Sequence, residues 1–113
     1  MTKYIGPEAI IEKKQAYIMP CLNHFYEKPM QIVRGSMQYL YDSTGKQYLD
    51  CFAGVSVINC GHCNSEITDK ICEQVKTLQH VCNIYLTENF ANLAEALAKI
   101  TPGDLQKAFF CST

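Results

Sequence analysis

The sequence predicts an α/β chain in which one helix and a small antiparallel meander precede a helix–helix–strand unit. Three observations carry this reading. Residues 31–49 alternate and are rich in β-formers around a polar turn. Two later segments repeat apolar residues every three or four positions. Ala108-Phe109-Phe110-Cys111 is apolar on both faces, as a strand covered on both sides requires.

The first helix starts at Gly6-Pro7-Glu8, with proline at the first helical position and an acid in the first turn; it is expected to run to about Met19, before Pro20. Residues 21–29 read as irregular and carry Phe25-Tyr26. In the meander, Met37, Tyr39 and Tyr41 alternate with Gln38 and Leu40, Asp42-Ser43-Thr44-Gly45-Lys46 is a turn, and 47–49 return. Gly35 suits a bulge or bend between two strands. Residues 52–59 are apolar around Gly54 and could be extended or loop. Asn64 can cap a helix with Ile67, Ile71, Val75 and Leu78 on one face. Thr87 and Glu88 open another, with Phe90, Leu93, Ala94, Leu97 and Ile100 on one face and Lys99 in its last turn; Thr101-Pro102-Gly103 ends it. Residues 107–111 read as a buried strand. The sheet that would surround it is not supplied by the meander, so the chain reads as part of something larger.

Composition excludes several classes. At 113 residues, 48% apolar and 19% charged, the chain is globular in type and not a disordered tail. Net charge is −1 with scattered signs, and Arg34 is the only arginine, which argues against a nucleic-acid partner. No apolar run approaches a membrane span, and residues 1–7 contain no secretory-type apolar core. Seven cysteines in irregular spacing predict free thiols in a reducing cytoplasm.

Two local constellations compete for chemistry. Cys60-Gly61-His62-Cys63 has the spacing of a thioredoxin-like thiol–disulfide site ahead of a helix, with Thr101-Pro102 about forty residues on; Asn59 precedes it where tryptophan is usual, and the upstream segment is a meander. Cys60, Cys63, His80 and Cys82 could be imagined on zinc, although His-x-Cys is an unusual second pair. No metal ligand set is assigned.

The ordered motifs Arg34-Gly35, Tyr39-Leu40-Tyr41-Asp42, Gly45, Tyr48-Leu49-Asp50, Ala53-Gly54, Gly61-His62, Leu86-Thr87-Glu88, Leu93-Ala94-Glu95, Pro102-Gly103 and Phe109-Phe110-Cys111 resemble the N-terminal part of class III (ornithine / 4-aminobutyrate / alanine–glyoxylate type) pyridoxal-phosphate aminotransferases. The resemblance covers about residues 17–113. It implies that residues 1–60 belong to a small domain and that 61–113 begin a large fold type I α/β domain, incomplete here. It implies a homodimer acting on an amino acid (or ω-amino acid) and a 2-oxo acid.

Carried over residue by residue, the resemblance makes Phe25 and Val55 substrate contacts. An aliphatic Val55 stands where ornithine-type enzymes have an aromatic residue. Ser112 and Thr113 match the two residues before the glycine of the loop that holds the cofactor phosphate at a helix N-terminus. No residue is assigned a catalytic role. The family's Schiff-base lysine and the acid facing the pyridine nitrogen lie beyond the matching region, and none of the nine lysines corresponds. The chain alone is therefore expected to be inactive and not to hold pyridoxal phosphate stably. Arg34 could be imagined on a substrate carboxylate, but beside Gly35 in the meander it is expected to be a structural or surface residue. One departure is Gly61-His62-Cys63-Asn64-Ser65, where the family has Gly-His-x-His-Pro.

Overall fold

A computed structural model describes residues 4–112, in two compact units that divide between residues 74 and 75. In the first unit, helix α1 (Pro7–Tyr17) begins after Gly6, whose positive φ of 85° lets the chain turn in with proline at the helix start. The Gly6 N–H donates to Gln31 Oε1 at 3.0 Å, fixing the helix start against the run-in to the sheet. The helix stops at Tyr17, two residues before Met19. Ile18 takes an extended conformation and its N–H closes on Lys14 O.

Strands β1 (Ile32–Ser36), β2 (Tyr39–Asp42) and β3 (Gln47–Leu49) form the expected antiparallel meander in sequence order. Its details differ from the sequence reading in two places. Met37 does not begin a strand: Ser36 pairs with Tyr39, so Met37 and Gln38 are the hairpin turn, with Met37 at φ 50°. Gly35 is not a bend either. It pairs with Leu40 inside β1, and the register shift falls between Ile32 and Arg34. Gly35 is needed for space, because a Cβ there would lie 2.7 Å from His62 Cβ.

Asp42 organises the second turn. Its Oδ1 accepts from Thr44 N (2.9 Å), Thr44 Oγ1 (2.6 Å) and Lys46 N (3.0 Å), and its Oδ2 from Tyr48 O–H (2.7 Å). It is the single buried residue among those described, 8% exposed. These donors, led by Thr44 and Tyr48, lower its pKa to about 2. Arg34 lays its guanidinium 3.4 Å from the centre of the Tyr41 ring across the β1–β2 pair, the structural place expected of it.

After β3 comes a single helical turn, α2 (Ala53–Ser56), and then α3 (Ser65–Thr77). Asn64 caps α3 as expected, its Oδ1 accepting from Glu66 N at 3.0 Å. Leu78 falls one residue past the end of α3.

In the second unit, α4 (Glu88–Ile100) follows Thr87, which occupies the N-cap position without a side-chain cap bond. Thr101 closes the other end, its hydroxyl donating to Leu97 O at 2.6 Å. Lys99 and Glu95 pair at 2.7 Å along the exposed surface. The segment 107–111 is not a strand. No neighbouring strand offers it a ladder among the described residues, and backbone groups form a sheet only against a partner. Phe110 instead packs edge-on against Phe90, ring centres 5.0 Å apart. Among the described residues no apolar side chain is buried, and the apolar stripes of α3 and α4 face outward.

Candidate functional site

The site grows from the end of β3. Asp50 Oδ1 accepts the N–H groups of Phe52 and Ala53, each at 3.0 Å, and Oδ2 lies 2.6 Å from His62 Nε2. The His62 contact first, and the two backbone N–H groups after it, hold the Asp50 carboxyl below its ordinary pKa. Since the carboxylate is ionised at neutral pH, Nε2 is the donating nitrogen of His62.

Both partners are tied to the meander. Asp50 N–H donates to Gln38 O at 2.9 Å. His62 exchanges two backbone bonds with Met37, each 2.8 Å, forming an isolated antiparallel bridge. The His62 side chain lies against Gly35, and at Gly61, φ 89°, an added Cβ would lie only 3.0 Å from Met37 Cα in the hairpin turn. Two glycines thus make the room in which the imidazole reaches Asp50.

What the pair clamps is unusual. Ala53, Gly54, Val55 and Ser56 have φ of 48°, 60°, 64° and 63°: α2 is a left-handed turn, which for each of its three non-glycine residues costs about 1–2 kcal/mol. Met37 and Cys63, the other non-glycine residues at positive φ among those described, adjoin the same Met37–His62 bridge. Conformations of this kind persist where the surroundings over-determine them, and they concentrate at functional sites. Here the determinants are the Asp50 carboxylate at the start of the turn and the backbone bonds Val57 N–H to Ala53 O (2.9 Å) and Ile58 N–H to Ala53 O (3.0 Å). Beside it, Met37, Asp50, Ala53, Ile58, Gly61 and His62 contribute to a cleft of about 310 Å³.

Val55 stands on this turn, 68% exposed, and does not line the cleft. Phe25 lies in the irregular segment between α1 and β1, 96% exposed. Ser112 is exposed in irregular chain, and Thr113 lies outside the described residues. Among the described residues no helix begins beside Ser112, so residues 4–112 do not themselves assemble the ring of N–H groups that a cofactor phosphate needs. The Asp50–His62 pair is not legible in the sequence. Both residues stand within the motifs, but a contact across twelve positions leaves no periodic trace; the glycines at 35 and 61 were its one local signal.

The rival constellations fare differently. Cys60 and Cys63 are both exposed free thiols, and the helix begins only at Ser65, after the Asn64 cap. Both cysteines precede the cap, not the first turn where a thioredoxin-like site needs its nucleophile, and the thioredoxin-like alternative is not supported. Among the described residues no group of three or more His, Cys, Asp or Glu side chains is placed to hold a metal ion.

Residues 23–113 match the family model for class-III aminotransferases. The chain is 44% identical over 112 residues to alanine–glyoxylate aminotransferase 2 homolog 2, mitochondrial, of Arabidopsis thaliana, covering 97% of this chain and 24% of that protein. In structure it is similar to an (S)-enantioselective ω-transaminase from Thermomicrobium roseum (TM-score 0.76, 29% identity, 93% of this chain and 25% of that one). It is also similar to a phospholyase from Arthrobacter in complex with phosphoethanolamine (TM-score 0.79, 33% identity, 88% and 23%). These neighbours place the helix and meander in the fold type I framework of pyridoxal-phosphate enzymes. The chain belongs to the class-III aminotransferase family, as an N-terminal portion that spans about a quarter of the length of the relatives it matches.

Proposed function

We propose that this chain supplies the substrate-side part of a pyridoxal-phosphate transaminase that moves an amino group between an amino acid (or ω-amino acid) and a 2-oxo acid. The observation that carries the proposal is the family match, continuous from residue 23 to 113. In this reading Phe25 and Val55 touch the amino donor, and Ser112 with Thr113 leads into the phosphate loop. The left-handed turn supports the role of Val55, because strained backbone gathers where a side chain must be aimed. The working protein is a homodimer. Its compartment is the cytoplasm, which the seven irregularly spaced cysteines suit; the word "mitochondrial" in the Arabidopsis relative's name makes cell fractionation the check.

The function is tested by steady-state transamination in the protein carrying this chain together with the rest of a class-III enzyme. Amino transfer that needs a 2-oxo acid, and a donor preference changed several-fold by Val55→Phe, is the expected result. The likeness to a phospholyase makes acceptor dependence the point to watch: turnover without any 2-oxo acid would contradict the proposal.

A further inference from the structure

We propose that Asp50 and His62 are positioning residues, a carboxylate–imidazole clamp that holds the left-handed turn Ala53–Ser56 and so fixes where Val55 meets the amino donor. The inference rests on the substrate role of Val55 given above.

Five observations converge on it. The Asp50 carboxylate spends both oxygens on the clamp: Oδ1 takes the two N–H groups that open the turn, at 3.0 Å each, and Oδ2 takes His62 Nε2 at 2.6 Å. His62 cannot drift, because its own N–H and carbonyl are both bonded to Met37 at 2.8 Å. Its side chain lies where any larger residue at 35 would collide, 2.7 Å from an added Cβ. The turn itself runs through three residues that dislike positive φ, so it needs an external hold to stay formed. The pair is mostly shielded, with side chains 20% (His62) and 9% (Asp50) exposed, so water competes poorly for these bonds. A role as a proton donor or acceptor is not called for: every polar atom of the carboxylate already serves the backbone or the ring.

The geometry makes a distinction among variants. Asp50→Ala removes every bond of the clamp. Asp50→Asn keeps one oxygen for the two N–H groups and offers an N–H₂ to the other tautomer of His62, so it restores most of the hold. His62→Ala frees one end, and His62→Gln returns a donor near the Nε2 position.

The experiment measures two things on the holoenzyme: hydrogen exchange of the amides of residues 52–57, and the ratio of kcat/KM for a short and a long amino donor. Asp50→Ala and His62→Ala are expected to speed exchange at Phe52 and Ala53 about tenfold or more. They should also shift the donor ratio in the same direction as Val55→Ala, mainly through KM, with Asp50→Asn and His62→Gln close to the parent. The shift should be non-additive in Asp50→Ala/Val55→Ala. Unchanged exchange in Asp50→Ala overturns the clamp. Faster exchange with a donor ratio that only Val55→Ala moves overturns the positioning role. If no donor is transaminated by the parent protein, it is the function proposed above that fails, and the exchange result still decides whether the clamp exists.

Discussion

Asp42 shows how far one side chain can settle local structure. Four donors converge on its carboxylate, so it is held ionised, with its pKa lowered to about 2. An unfolded aspartate titrates near 4, so the folded state holds this carboxylate's proton less tightly than the unfolded one. Its contribution is therefore fully present above about pH 4 and is lost as pH falls from there through about 2. A carboxyl-carbon titration followed by NMR should give Asp42 an inflection near 2, and one at the ordinary value would show the turn is not held this way. Asp42→Ala should accelerate amide exchange across 43–48 by about tenfold or more, because hydrogen bonds to a charged acceptor are among the stronger ones. Gly35 is the second residue on which much depends. A methyl group placed 2.7 Å from His62 Cβ must displace the imidazole, so Gly35→Ala should cost about 1–3 kcal/mol in a denaturant titration. A neutral Gly35→Ala would mean the ring is not packed there.

At the scale of elements, α2 is the least ordinary part of the chain. Because the turn is left-handed, two glycine exchanges should act with opposite signs. Gly54→Ala puts a Cβ at φ 60° and 3.2 Å from Val57 Cγ2, and should lower stability by about 1–2 kcal/mol. Ser56→Gly relieves a positive φ and should raise stability by a fraction of that, since glycine's extra freedom in the unfolded chain offsets part of the gain. Equal signs in a thermal melt would contradict a left-handed turn. The same element marks the limit of what the sequence makes legible. The starts of α1 and α3, the three strands and the Asp42–Lys46 turn were readable because local chemistry decides them: proline after glycine, an Asn cap, alternation around a polar turn. The Met37 turn was not, since methionine signals no turn and sits at φ 50° beside the bridge to His62. The helical character of 53–56 was hidden for a like reason, being imposed from Asp50 and His62. The segment 107–111 has strand composition and no strand, because pairing needs a neighbour that composition cannot provide. Of the candidate site, the family resemblance points to Val55 and Phe25, while the contact that holds the Val55 turn is visible only in three dimensions.

At the scale of the whole molecule, the apolar residues present an unusual balance. Among the described residues none of them is buried, and Ile67, Ile71, Val75, Phe90, Leu93 and Leu97 stand open along α3 and α4. Stripes of this kind are built to be covered. The 113-residue chain on its own should bind a hydrophobic dye and self-associate in a concentration-dependent way, and a dye-negative monomer by sedimentation would contradict that. In the function proposed, this portion of a class-III aminotransferase carries scaffold and substrate-side residues, and the covalent chemistry of the cofactor resides elsewhere in the enzyme. The most direct measurement is to add pyridoxal phosphate to the 113-residue chain, record the Schiff-base absorbance band, trap any adduct with borohydride and map it by mass spectrometry. Only weak labelling scattered over the nine lysines is expected; stoichiometric labelling of one lysine, with a stable band that disappears when that lysine is replaced, would show that this portion carries the covalent chemistry itself.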